Sequence, residues 1–107
     1  MSLAEVTDAS FDALVRRSTG TVIVDVWALW CPPCRQLEPV LEAFAADHPE
    51  VAVLRLDADD NPAIVAEYAA LSLPTVLVFV DGEPVKRMVG ARPRAALEHD
   101  LAGLLPR

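Results

Sequence analysis

Long apolar runs, cysteine, glycine and positive charge are all scarce in this chain. The longest uninterrupted apolar run, Val26 to Cys31, covers six of 107 residues. A membrane-spanning helix needs about 18 or more, so no segment is expected to cross a bilayer. The N-terminal Met1-Ser2-Leu3-Ala4-Glu5 has neither the basic stretch nor the apolar core of a secretory leader, and a cytoplasmic location is the expectation. Nine Lys and Arg stand against 16 Asp and Glu, a net charge of −7. The clustered cations that grip nucleic-acid phosphates are therefore missing, and the charge favours a soluble monomer. What is abundant is apolar: 53% hydrophobic against 23% charged residues excludes disorder. The length suits a single domain, 1–107, with one core.

The two cysteines, Cys31 and Cys34, are the only ones present. A disulfide-stapled secreted domain needs more, at wider spacings. A structural zinc site needs a second closely spaced ligand pair, and His48 and His99 are far apart, so no metal is expected. In a chain without an export signal, a lone Cys-x-x-Cys points to redox chemistry.

The hydrophobic pattern predicts alternating strands and helices. Ala4-Glu5-Val6 reads as a short strand. Thr7, Asp8 and Ser10 offer caps for a helix with Phe11, Leu14 and Val15 on one face. Thr21 to Trp27 is almost continuously β-branched, as in a central strand buried on both faces. From Cys31 the period becomes helical, with Cys34, Leu37, Leu41 and Phe44 in one stripe. Pro32 and Pro33 suit its first turn, whereas Pro39 should kink it before it ends near His48. Val51 to Leu56 is a third strand, and a short helix follows around Ile64, Val65 and Tyr68. Thr75 to Val80 is a second buried strand, joined through Asp81-Gly82-Glu83 to an edge strand at Val85 to Val89. The last helix starts near Pro93 and aligns Leu97, Leu101, Leu104 and Leu105. This order specifies one α/β domain with a parallel section, right-handed crossovers and a closing antiparallel hairpin.

Cys31 falls at the N-cap of the second helix, where unpaired N–H groups and the helix dipole favour a thiolate. Cys34 lies in the apolar stripe behind it. The expectation is an exposed Cys31 that attacks and a shielded Cys34 that resolves. The plainer reading is a pair of packing cysteines or an inert disulfide; two prolines between them and a tryptophan before them argue against it. Asp25, set in a run of Val, Ile and Trp, is costly to bury ionised and should have a raised pKa. His48 and His99 read as helix-end and surface residues, and Asp57, Asp59 and Asp60 as a solvated turn lacking the spacing of a calcium loop.

Trp27-Ala28-Leu29-Trp30-Cys31-Pro32-Pro33-Cys34 resembles the active-site segment of the thioredoxin family. The likeness continues at Asp25, Pro39, Leu73-Pro74-Thr75 and Val89-Gly90-Ala91. It implies a thioredoxin fold, with a central five-stranded mixed sheet flanked by four helices, and a cis Leu73–Pro74 peptide facing the cysteines. By the same resemblance, the Leu73 backbone would pair with a substrate chain. Trp30, Pro32, Pro74, Gly90 and Ala91 would form an apolar rim around Cys31, and Asp25 would exchange a proton with Cys34.

Two departures stand out. The position of a family lysine near the buried aspartate is matched to Val53, which would leave Asp25 without a compensating cation, and the apolar Leu29 lies beside the site. Pro32 removes a backbone donor near the Cys31 sulfur and stiffens the loop. With no histidine in the loop, the expected potential is roughly −280 to −220 mV.

The implied activity is disulfide reduction in substrate proteins, through a mixed disulfide at Cys31 that Cys34 resolves to a Cys31–Cys34 disulfide. No bound cofactor is implied. A partner reductase, a flavin enzyme using NADPH, would restore the dithiol. The alternatives are a disulfide oxidase or isomerase, and a binding module using the Trp30/Pro74 surface.

Overall fold

The computed structural model describes residues 3–105. Its strands are β1 (Ala4–Glu5), β2 (Thr21–Trp27), β3 (Ala52–Asp57), β4 (Thr75–Val80) and β5 (Glu83–Val89). The helices are α1 (Asp12–Arg16), α2 (Pro32–Asp47), α3 (Pro62–Glu67) and α4 (Arg94–Leu101), the last followed by a 3-10 turn, Ala102–Leu104. The sheet order is β1-β3-β2-β4-β5. β3 runs parallel to β1 and β2, while β4 is antiparallel to β2 and β5. This is the five-stranded mixed sheet with four helices that the resemblance implied.

The β-branched run of β2 forms the centre because both of its faces are covered. Ile23 packs with Leu37, Leu41 and Phe44 of α2 and Leu97 and Leu101 of α4. Val22, Val24 and Val26 point the other way, among Phe11, Val15, Leu56 and Phe79. Each fully buried side chain of this size contributes about 1.5–3 kcal/mol. Strand alternation puts Asp25 on the α2 face with Ile23, and its burial among these residues is an electrostatic cost that the core must offset.

The first helix departs from expectation. α1 winds as a π-helix, with the Arg17 N–H reaching the Asp12 carbonyl at 2.9 Å. The wider turn keeps Phe11 and Val15 inward but rotates Leu14 out, to 42% exposure. Of the three capping candidates, Thr7 and Ser10 hydrogen-bond each other's backbone N–H. Asp8 instead crosses to α3, accepting from the Ala63 and Ile64 N–H groups at 3.0 Å each. α2 continues through Pro39 without a break; Pro39 is exposed, so water can satisfy the carbonyl that its missing N–H leaves unpaired.

The β4–β5 hairpin turns on Asp81 and Gly82, with φ of +51° and +83°. Gly82 is required twice over. Its φ is left-handed, and a Cβ there would lie 2.1 Å from the Arg16 carbonyl oxygen. Pro84 sits in β5 on the sheet edge, where a missing N–H is tolerated.

Candidate active site

The site forms where β2 ends and α2 begins. Cys31 has extended backbone angles, φ −105° and ψ 101°, and is the N-cap of α2. Its Sγ accepts a hydrogen bond from the Cys34 N–H at 3.3 Å. Pro32 and Pro33 occupy the first two helical positions and have no N–H, so Cys34 supplies the first backbone donor that the helix offers to this sulfur. The two cysteines form a disulfide.

The expected contrast in exposure is absent. Cys31 is 3% exposed and Cys34 2%. Both are enclosed in a small cluster with Ala28, against which Trp27 and Leu73 pack. In this disulfide-bonded state the asymmetry between the two sulfurs lies in their hydrogen bonding and their place in the helix. Cys31 caps α2 from outside; Cys34 sits in its first turn, on the buried stripe.

Asp25 is almost fully buried, and its Oδ1 has no hydrogen-bond partner among the described residues. Loss of water pushes its carboxyl up to about 7; Arg55 pulls it down and Glu38 pushes it further up. The expectation that no cation compensates Asp25 is corrected here. Val53 and Arg55 share one face of β3, two residues apart. Val53 packs into the apolar core with Phe44, and it is Arg55 that sits opposite Asp25 in the parallel register. The cation near Asp25 is present, two residues along the strand from Val53. Asp25, Cys34, Arg55, Glu38, Arg35 and Leu29 line a cavity of about 180 Å³ together with Trp27. The Asp25 carboxyl and Cys34 thus line one cavity.

The rim residues lie as follows. Leu73–Pro74 is a cis peptide, Pro74 is buried, and Leu73 is half-buried against the cysteine cluster. The Gly90 N–H donates to the Pro74 carbonyl at 2.9 Å, which ties the Gly90-Ala91 turn beside the cis-proline. Ala91 and Pro32 are exposed. Trp30 is 65% exposed and Leu29 71%, a strongly apolar entrance.

One residue at this entrance was missed by sequence reasoning. The Trp30 Nε1–H donates to Asp59 Oδ2 at 3.0 Å, so the acidic turn is more than a solvated connection. The available signal was topological: β2 and β3 are parallel, and the loops following parallel strands emerge at the same sheet edge. His48 does lie at a helix end, stacked on Phe44 and beside Glu50 and Glu98, and His99 is exposed. Among the described residues no cluster of three or more His, Cys, Asp or Glu is arranged to hold a metal ion, and no helix is long and apolar enough to cross a membrane.

The thioredoxin family profile matches residues 2–103. Thioredoxin of Staphylococcus aureus (strain NCTC 8325 / PS 47) is 47% identical over 98 residues, covering 91% of this chain and 92% of that protein. The bifunctional thioredoxin reductase/thioredoxin of Mycobacterium leprae is 48% identical over 103 residues, covering 95% of this chain. The match spans only 22% of the Mycobacterium leprae protein's length.

Proposed function

The chain belongs to the thioredoxin family and is a thiol–disulfide oxidoreductase, and we propose that Cys31 is its nucleophile, Cys34 its resolving thiol and Asp25 its proton acceptor. Thioredoxins carry electrons on the cysteine pair and bind no cofactor. In the dithiol state, the Cys31 thiolate attacks one sulfur of a substrate disulfide and expels the other as a thiolate, leaving a mixed disulfide. Cys34 then loses its proton to Asp25 and attacks the Cys31 sulfur. The Cys31–substrate bond breaks, the substrate departs as its second thiolate, and the Cys31–Cys34 disulfide remains. Two electrons pass to the substrate.

The observation that carries this reading is the shared cavity of Asp25 and Cys34 behind a helix-capping Cys31. A carboxyl titrating at about 7 can both accept and return a proton at neutral pH, as a reversible exchange needs. Substrate chains would lie along the Leu73 backbone, bounded by Trp30, Pro32, Pro74, Gly90 and Ala91. The relatives named thioredoxin favour reduction over the oxidase and binding-module alternatives.

The partner that restores the dithiol is a thioredoxin reductase, and we read it as a flavin enzyme using NADPH. The Mycobacterium leprae relative's name joins both activities in one protein. We further read residues 1–107 as one thioredoxin domain acting as a monomer in the cytoplasm. The test is reduction of insulin disulfides by dithiothreitol, followed by turbidity, with a Cys31→Ser control. Acceleration by the protein and none by the variant is expected. No acceleration over dithiothreitol alone overturns the proposal.

A further inference from the structure

Arg55 sits opposite Asp25 in the sheet, yet no hydrogen bond or ion pair joins the two among the described residues. Its guanidinium is committed elsewhere. Nη1 donates to Glu38 of α2, Nε faces Glu5 Oε1 of β1 at 3.3 Å, and the carbon of the group lies 3.7 Å from the centre of the Trp27 ring. An arginine has five donors and a flat face, and here an anion on either side and an aromatic face hold it in one place. The Asp25 Oδ1 remains unpartnered.

We propose that Glu38 is a positioning residue for proton transfer at the cysteine pair: by anchoring the Arg55 guanidinium on Trp27, it withholds a direct ion pair from Asp25. This rests on the assignment of Asp25 as proton acceptor above. An aspartate paired directly with an arginine is a weak base, because the cation stabilises its charged form. Held at a distance, Arg55 moderates the cost of ionising Asp25 without removing its affinity for the Cys34 proton. The charged and titratable groups facing Asp25 are few. α2 contributes Cys34, Arg35 and Glu38, β3 contributes Arg55, and the β4 residue opposite, Val76, is apolar. Glu38 is about one-third exposed at its side chain and Arg55 14%, so the pair is partly shielded from solvent.

The experiment follows the Asp25 side-chain carboxyl by carbon NMR across pH in the oxidised protein, where neither cysteine titrates. Removing the anchor, in Glu38→Ala or the milder Glu38→Gln, should lower the Asp25 midpoint, on the order of one pH unit for Glu38→Ala. Loss of the Glu38 charge alone would act in the same direction, so the decisive variant is Glu38→Ala combined with Arg55→Met. If Glu38 acts through Arg55, its removal has little further effect once Arg55→Met is present. An equal drop in both backgrounds, or no drop in either, overturns the proposal. In single-turnover resolution of a mixed disulfide, the inflection of the rate–pH profile should move with the NMR midpoint. The NMR result tests Glu38 even if the reductase assignment fails; a moved midpoint with an unmoved rate profile would count against Asp25's role, not against the anchor.

Discussion

Replacing Asp25 by Asn removes a titrating group from the core, and the consequence for stability follows from two numbers. An aspartate in the unfolded chain titrates near 3.8, whereas burial raises Asp25 in the fold to about 7. Between these values the unfolded chain releases a proton that the folded protein retains. The contribution of Asp25 to stability is therefore highest below pH 3.8, falls as pH rises toward 7, and levels off above it. The slope within the window is about 1.4 kcal/mol per pH unit, and the whole fall is about 4 kcal/mol. Asp25→Asn carries no such slope. Whatever constant offset the amide introduces, the stability difference between variant and wild type should grow by about 2.6 kcal/mol from pH 5 to pH 8, in favour of the variant. Urea unfolding of both oxidised proteins, at half-unit pH steps, measures it directly. Other titrating groups cancel in the difference. A difference that stays flat across this range would mean that Asp25 titrates in the fold as it does in the open chain, and the reasoning from its burial would be wrong.

Three further outcomes are expected. Asp25→Ala should slow resolution of the mixed disulfide more than the initial attack, read by stopped-flow with a fluorescent disulfide; equal slowing of both steps would remove its assigned role. Gly82→Ala should cost about 2–4 kcal/mol in urea unfolding, from the left-handed φ and the close Arg16 carbonyl, and a loss under about 1 kcal/mol would show that the hairpin shifts freely. Asp59→Ala frees the Trp30 indole and should cost only about 1 kcal/mol of stability. It should lower Trp30 fluorescence anisotropy and raise KM for a protein disulfide several-fold, and an unchanged KM would separate the tether from substrate binding.

The elements that were legible in the sequence are those whose signal is local. The apolar, largely β-branched runs of β2 and β4 suit strands covered on both faces, and each is buried over most of its length. Asp81-Gly82 marked its hairpin because the turn needs left-handed backbone at both residues. Paired prolines after Cys31 marked a helix start, since first-turn N–H groups are dispensable. Leu14 was misread because a helical stripe counted at 3.6 residues per turn fails where the turn widens to a π-helix. Asp8 was assigned to the nearest helix, while its carboxylate serves α3, far away in sequence.

The sequence by itself determined that this chain is an α/β domain with two sulfurs at the mouth of a helix and a carboxyl buried in the strand before it. Backbone periodicity, proline geometry and the cost of burying charge act over a few residues, and they are read from a few residues. Only the tertiary structure decided the surroundings of that carboxyl. The parallel register of β2 and β3 set Arg55, and not Val53, opposite Asp25, and the packing of α2 on the sheet brought Glu38 to hold it. Tertiary packing also enclosed both cysteines and brought Asp59, in the loop after β3, to the Trp30 indole N–H. Strand register and helix docking are fixed by the summed burial of many distant side chains, so no local pattern records them, and a shift of two residues along one strand exchanges an apolar valine for a charged arginine.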